Sequence, residues 1–329
     1  MRKIGCLLLS VCMVLVMAGC SSNNTAKEEG NKKVTLMLDY VPNTNHTGFY
    51  VAQEKGYFKE QGLDVEILEP GDDATSATLV AAGKADFGVS YQEDVTYART
   101  SEEPLPIRAI ATIIQHNTSG FVSLKDANIK GPKDFEGKTY AGWQAPSEEA
   151  VIKAVMNKAG ADFNKLQIIG ASGAGFAALG KTEDLHWEFE GWSVIKARMD
   201  GFDLDYLPLK DLDERLDYYT PVIITNEKMI SEDAETVQKF MNAVKKGYEY
   251  AIDNPDESAE ILHKIIPDTD LDFLKESQKY LSAQYSKDSD TWGLMKDEVW
   301  DRYTDFMFEY KLISEKIAAD QQYTNQFLK

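Results

Sequence analysis

The sequence predicts an α/β fold in which two lobes, each built on a doubly wound sheet, are joined by a hinge. Short apolar segments alternate with amphipathic helical segments from residue 34 onward, and this alternation indicates parallel sheets. The alternation restarts near residue 138, which indicates a second sheet. A chain of 329 residues is also too long for one small core and suits two lobes of ordinary size.

The elements of the first group share one sequence signal, a continuous apolar run followed by a helical repeat. Strands buried on both faces lack polar alternation, so such runs predict buried strands. The predicted strands are 34–38, 65–68, 87–89 and 107–114. The predicted helices are 46–61 and 72–82, ended by Gly62 and Gly83.

The second group repeats the pattern, and the chain then becomes almost wholly helical after residue 231. Its predicted strands are 138–143, 166–169, 185–190 and 204–207, its predicted helices are 147–159 and 192–199, and 218–225 is extended. We expect one lobe to contain 34–117 and 220–329, and the other to contain 118–219. A chain that leaves a lobe and returns to it forms two crossovers, which suits closure around a ligand.

The first 33 residues are predicted to lie outside the fold. Arg2 and Lys3 precede an apolar run at 4–18, which is typical of a secretory signal peptide over 1–19 and is too short for a membrane-spanning helix. The sequence VMAGC at 16–20 resembles a bacterial lipobox, which implies that Cys20 is lipidated. A plain signal cleaved nearby is the alternative. The polar segment 20–33 then serves as a tether, so we expect an extracytoplasmic protein anchored by lipid to the cell membrane.

Composition excludes several classes of function. The chain has 35 basic and 54 acidic residues, a charge of −19, which argues against nucleic-acid binding. Cys6 and Cys12 lie in the signal peptide, so the mature chain has no cysteine pair, and its histidines are widely spaced. We therefore expect no metal, no cofactor and no catalytic residue. The stretch 175–182 matches the residue pattern of a Walker A phosphate-binding loop, but its apolar interior indicates a packed turn instead.

Polar and aromatic residues follow the predicted strands, at the edge where α/β sheets bind ligands. The candidate site residues are Asp39, Asn43, Asn45, His46, Tyr91, Trp143, Glu190 and Trp192. Structural roles are the alternatives: Asp39 and His46 as caps, Tyr91 and Trp143 as core residues, and Glu190 as a solvated acid. Helix starts here carry acid pairs at 72–73 and 148–149, and no Arg is expected near the cleft, so an anionic ligand is disfavoured. Carboxylates with flat rings suit a planar, donor-rich ligand such as an aminopyrimidine.

These segments carry a resemblance to a known family. The sequence LDYVPNTNHTGFYVA at 38–52 resembles the signature of the thiamin-pyrimidine branch of type II solute-binding proteins, called the NMT1/THI5-like group. Further matches are 56–63, 190–192, 218–222 and 292–300. The resemblance covers about 34–310, and within the family it is strongest to the formylaminopyrimidine-binding lipoproteins of ABC importers.

The resemblance implies a two-lobed type II periplasmic-binding-protein fold that holds a thiamin pyrimidine precursor in an interlobe cleft and passes it to an ABC permease. It implies that the candidate residues contact the ligand, and we expect the receptor to be a monomer. Related lipoproteins share the motif at 42–48, so riboflavin is an alternative ligand, and an alkanesulfonate is a weaker one. The family that this chain resembles also has an enzyme branch, a pyrimidine synthase. Its pattern has a Lys and a His in the segment after the third strand, and a cysteine-rich iron motif. This chain has Ser90 and Asp94 there and no cysteine cluster, so no enzyme is expected.

Overall fold

The structure, a computed structural model, describes residues 30–71 and 74–328. The predicted signal peptide at 1–19, Cys20 and most of the predicted tether lie outside the described residues. The first strand begins at Lys32, so it takes in the last two residues of the segment that we expected to be tether. Across the part of the chain that is described, no helix is both long and apolar enough to cross a bilayer.

The predicted strands and helices occur in the predicted order, and the structure adds elements that were not predicted, among them a helix at 92–100 and a strand at 119–124. The strands are β1 (Lys32–Met37), β2 (Leu63–Leu68), β3 (Phe87–Ser90), β4 (Ile107–Thr112), β5 (Ser119–Leu124), β6 (Thr139–Gly142), β7 (Gln167–Gly170), β8 (Leu185–Phe189), β9 (Leu204–Pro208) and β10 (Val222–Asn226). The helices are α1 (Thr47–Glu54), α2 (Tyr57–Glu60), α3 (Ser76–Ala81), α4 (Gln92–Thr100), α5 (Pro146–Lys158), α6 (Ile195–Met199), α7 (Leu209–Leu212), α8 (Glu227–Glu232), α9 (Ala234–Asp253), α10 (Pro255–Ile265), α11 (Leu271–Tyr285) and α12 (Asp297–Glu309).

The first sheet is mixed and has the strand order β2-β1-β3-β10-β4. β1 is parallel to β2 and β3, whereas β10 is antiparallel to β3 and β4. All four residues of β3 are buried, because apolar side chains of α1 and α9 cover one face of the sheet and those of α3 and α4 cover the other. The expectation of a wholly parallel sheet is wrong at β10, since the returning chain enters the sheet from the opposite direction.

The second sheet has the strand order β7-β6-β8-β5-β9. β6 is parallel to β7 and β8, and β5 is antiparallel to both of its neighbours, β8 and β9. The sequence did not predict β5, because its segment SGFVSL mixes apolar with small polar residues. Position 120 of β5 requires a glycine, because a Cβ atom there would lie 2.5 Å from the carbonyl oxygen of Leu207 on β9.

Two crossovers join the sheets, and in each sheet both connect to strand ends on the same side. One runs from Thr112 to Ser119 and the other from Pro208 to Val222. Val222 pairs with both Ser90 and Thr112, so the carboxyl ends of β3 and β4 lie on either side of Val222 at the crossovers. This edge is where ligands bind in open α/β sheets. The division into lobes at 117 and 220 remains a prediction.

The last long helix, α12, packs against the cores of both sheets. Trp300 belongs to the core around β4 and β10, and its ring stacks on Tyr323 with centroids 5.4 Å apart. Tyr303 and Phe306, one turn later, belong to the core that contains Phe121 of β5.

Two predicted helices are irregular where they meet the candidate site. The helix expected over 46–61 starts with a 3₁₀ turn, Thr44–His46, and is broken after α1 by Gly56, whose φ of 76° ends that helix. The helix expected over 192–199 starts with a π-helical turn, Glu190–Val194. π-helical turns in α-helices are frequent at functional sites.

Candidate functional site

A hydrogen-bonded turn after β1 fixes the first group of candidate residues. The Nδ1 atom of His46 accepts the backbone N–H of Asn43 at 3.2 Å, and its Nε2 atom lies 2.7 Å from Oδ1 of Asp39. Because Nδ1 accepts, the ring proton lies on Nε2 and is donated to the carboxylate. The Asn43 side chain accepts the N–H of Asn45 at 2.9 Å. His46 is fully buried, so it orients Asp39 from behind.

The carboxylate of Asp39 also accepts the hydroxyl of Tyr91, which follows β3. Burial alone would raise the pKa of Asp39, but the hydrogen bond and electrostatic interaction with His46, together with the hydrogen bond from Tyr91, outweigh burial and hold this pKa below its usual value. Burial and the Asp39 charge raise the pKa of the Tyr91 hydroxyl. At neutral pH the pair is therefore a carboxylate beside a protonated phenol.

Asp39, Tyr91 and Asp94 line one cavity of about 630 Å³. Oδ2 of Asp94, in the first turn of α4, accepts the Ser90 hydroxyl at 3.2 Å. Burial, together with the charges of Glu93 and Asp39, raises the pKa of Asp94 to about 6. No Lys or Arg is among the described residues that line this cavity. A buried carboxyl without a cationic partner is costly, and a ligand that offers N–H groups can satisfy it.

Glu93, which sequence reasoning did not select, connects elements of both sheets next to Asp94. Its carboxylate accepts the Tyr303 hydroxyl of α12 at 3.0 Å and the hydroxyl of Ser147 in the first turn of α5. Burial raises the pKa of Glu93. The Tyr303 ring stacks on Tyr218 with centroids 4.0 Å apart. The signal that could have found Glu93 is its place in the segment that directly follows β3.

Trp143 follows β6 and is the most exposed of the large apolar side chains among the described residues, at 63%. Its ring meets that of Trp187, which is buried, with centroids 6.0 Å apart. Trp143 is therefore a flat apolar surface at the carboxyl end of a strand, and the alternative that it is a core residue does not hold.

Glu190 and Trp192 lie in the π-helical turn after β8, away from the Asp39 cavity. Oε2 of Glu190 accepts the Tyr280 hydroxyl at 2.8 Å, and Arg198 lies 3.6 Å from Oε1. The expectation that no Arg lies near the candidate residues is wrong here, because α6 brings Arg198 back beside Glu190. Trp192 packs edge-on against Phe273 at 4.7 Å and lines a second cavity of about 710 Å³.

The structure thus joins four candidates, Asp39, Asn43, His46 and Tyr91, in one chain of hydrogen bonds. Asn45 lies in the same turn, where its backbone carbonyl accepts the Tyr248 hydroxyl at 2.7 Å. Trp143, Glu190 and Trp192 lie on elements of the second sheet. That all eight contact one ligand remains a prediction.

A family model described as NMT1/THI5 like matches residues 43–258. The chain belongs to the NMT1/THI5-like family. It is 27% identical to the formylaminopyrimidine-binding protein of Halalkalibacterium halodurans, over 98% of each chain. It is 25% identical to the riboflavin-binding protein RibY of Chloroflexus aurantiacus, over 100% of this chain and 99% of the relative. It is 23% identical to the 4-amino-5-hydroxymethyl-2-methylpyrimidine phosphate synthase of Legionella pneumophila, over 90% and 92%.

Among solved structures, the fold is similar to that of the periplasmic aliphatic sulphonate binding protein SsuA from Escherichia coli. The TM-score is 0.70 over 88% of this chain and 91% of the other, at 13% identity. This likeness and the two five-stranded mixed sheets confirm the predicted type II periplasmic-binding-protein fold.

The NMT1/THI5-like family thus includes relatives named as binding proteins and relatives named as synthases. The segment after β3 is where the resemblance led us to look for a synthase Lys and His. In this chain Ser90, the last residue of β3, and Asp94 lie at these positions, and they hydrogen-bond to each other instead.

Proposed function

We propose that this protein is an extracytoplasmic solute-binding lipoprotein of an ABC importer. Its ligand would be an aminopyrimidine precursor of thiamin, of the formylaminopyrimidine type, held in the cleft beside the two crossovers. The family, the fold and the relative that is named a formylaminopyrimidine-binding protein support this function.

One observation carries the choice of ligand. Asp39 and Asp94 line a single cavity beside the Tyr91 hydroxyl, and the described lining offers no Lys or Arg. Two carboxyls in such a place need donors, and the amino group and ring of an aminopyrimidine supply them. A sulfonate or nitrate would instead place a second negative charge beside Asp39.

The two crossovers support a hinge, and we propose that the lobes are 34–117 with 220–329 and 118–219. Closure of that hinge would bring Trp143 and Glu190 to a ligand already bound at Asp39. The lipobox supports attachment through Cys20 to the outer face of the membrane, where a monomeric receptor would deliver its ligand to a permease.

We further propose that the protein binds its ligand without transforming it. The three cysteines of the chain are Cys6, Cys12 and Cys20, so the folded part has no thiol with which to form a cysteine-rich iron site. Ser90 and Asp94 occupy the segment in which a synthase would need a Lys and a His.

Titration calorimetry on the whole chain, purified in mild detergent, tests the proposed ligand. We expect formylaminopyrimidine to bind, and riboflavin and an alkanesulfonate not to bind. Asp39→Asn and Asp94→Asn should each weaken binding at least tenfold, because each replaces a charge-assisted hydrogen bond worth about 1.5–3 kcal/mol.

Asp64→Asn is the matched control, because Asp64 is an exposed acid on β2 away from the cavity. Its affinity should equal that of the unaltered chain. Binding of riboflavin or the sulfonate alone would overturn the choice of ligand, and conversion of the bound pyrimidine into a product would overturn the binding-only role.

A further inference from the structure

A buried carboxylate lies directly behind the loop that carries Trp143. Glu148, in the first turn of α5, is only 2% exposed. Its Oε1 accepts the backbone N–H of Trp143 at 3.1 Å, and its Oε2 accepts that of Gln144 at 2.7 Å. The Tyr140 hydroxyl donates to the same carboxylate. Three uncharged donors from β6 and its loop thus converge on one side chain.

The loop is built around that carboxylate. A Cβ atom at position 142 would lie 2.0 Å from Oε1 of Glu148, so only glycine leaves room for the carboxylate at the end of β6. Gln144 has a φ of 62°, in the left-handed region that side chains rarely adopt. Such a turn persists where its surroundings hold it, and here the two oxygens of Glu148 hold consecutive N–H groups.

The direction of the Trp143 ring depends on this turn. The side chain is 63% exposed and meets Trp187 at a tilt of 55°, so packing on its own core constrains it little. An indole that is displayed in this way needs a fixed backbone in order to keep one orientation.

We propose that Glu148 is a positioning residue for ligand recognition, whose carboxylate holds the 142–144 turn so that Trp143 presents its face to the ligand. The proposal rests on the proposed function, because it takes the ligand to be a flat ring that stacks on Trp143. Glu148 itself does not contact the ligand. It acts by removing the freedom that an exposed ring would otherwise lose on binding.

Glu148→Gln is the direct test, because it keeps the shape of the side chain and replaces one acceptor oxygen with an NH₂ group. That group faces a backbone N–H, so one of the two loop hydrogen bonds is lost. We expect the affinity for formylaminopyrimidine to fall about tenfold. Glu149→Gln, the same change at an exposed position of the same helix, should leave affinity unchanged.

A double-mutant cycle separates positioning from general damage. If Glu148 acts through the ring, Glu148→Gln should cause no further loss of affinity in a chain that already carries Trp143→Ala. Losses that add in full would overturn the proposal, since they would mean that Glu148 affects binding independently of Trp143. Gly142→Ala, which crowds the carboxylate, provides a second variant with the same expected behaviour should Glu148→Gln not fold.

A measurement without ligand keeps this proposal separate from the proposed function. The fluorescence of each protein minus that of its Trp143→Phe counterpart gives the part of the emission and anisotropy that depends on Trp143, including energy transfer with Trp187 at 6.0 Å. We expect Glu148→Gln to lower this anisotropy and Glu149→Gln to leave it unchanged. An unchanged Trp143 signal in Glu148→Gln overturns the positioning role even if the pyrimidine binds. Failure of the unaltered chain to bind any pyrimidine overturns the proposed function, whereas a lowered anisotropy would still support the hold of Glu148 on the ring.

Discussion

We expect Asp94 to lower the stability of the folded protein, because its buried carboxyl has no Lys or Arg partner among the described residues that line the cavity. Burial and the charge of Glu93 raise its pKa from 3.8 to about 6. Between these pH values the folded chain holds a proton that the unfolded chain has released, so stability falls as the pH rises from about 4 to about 6. We therefore expect Asp94→Asn to raise the free energy of unfolding at pH 7.5 by about 1–3 kcal/mol, and to change it little at pH 4.

Urea denaturation at both pH values measures this effect. Asp64→Asn, at an exposed acid, should alter stability by no more than about 0.5 kcal/mol at either pH. An Asp94→Asn protein that is no more stable than the unaltered chain at pH 7.5 would contradict this account of the carboxyl.

Site residues could be predicted from the sequence when they lie close to the end of a predicted strand. Tyr91 and Trp143 directly follow β3 and β6, and Asp39 lies two residues after β1, so the predicted strand order places them at the binding edge. Glu148 could not be assigned a partner in this way, because its role depends on a left-handed turn at Gln144 and on space left by a glycine. In the sequence it reads only as an acid at a helix start.

At the scale of elements, the contact between α1 and α9 is close enough to depend on two glycines. A Cβ atom at Gly247 would lie 2.0 Å from the carbonyl oxygen of Gly48, which is backbone and cannot turn aside. Gly247→Ala must therefore push the helices apart, and we expect a loss of about 1–3 kcal/mol in the free energy of unfolding, even though alanine favours helix. Because α1 starts directly after His46, ligand affinity should fall as well.

Thermal unfolding and calorimetry together check this prediction. Gly131→Ala is the control, because nothing lies within 4 Å of its would-be Cβ and its backbone is extended. Equal stability of the two variants would show that α1 and α9 do not pack as closely as the structure has them.

Strands were predictable where burial on both faces made the segment a continuous apolar run. They were missed where the residues that bury the segment come from distant parts of the chain. β3 is apolar and buried over its whole length, and it was predicted. β5 is also an interior strand, yet its Ser and Gly residues are buried by neighbours that come from β8 and β9, about 60 to 90 residues later. No local pattern reports such neighbours, and none reports that β5 and β10 run antiparallel.

At the scale of the whole molecule, the two crossovers and the exposed rings of Tyr40 and Trp143 predict that the two lobes close around a ligand. Tyr40 and Trp143, which follow strands of different sheets, are 59% and 63% exposed. Burial of such rings between the sheets would supply much of the free energy that drives closure around a ligand. We expect formylaminopyrimidine to reduce the radius of gyration by about 1 Å from a value near 20 Å, measured by small-angle X-ray scattering.

The same scattering experiment on Asp94→Asn provides the control, because a chain with weakened binding should not contract at a ligand concentration that saturates the unaltered protein. Contraction and binding should therefore appear together, and thermal stability should rise by several degrees only where both occur. Tight binding without contraction would contradict closure. It would mean that the residues around Asp39 hold the ligand alone, and that Trp143 and Glu190, on the second sheet, serve some other contact.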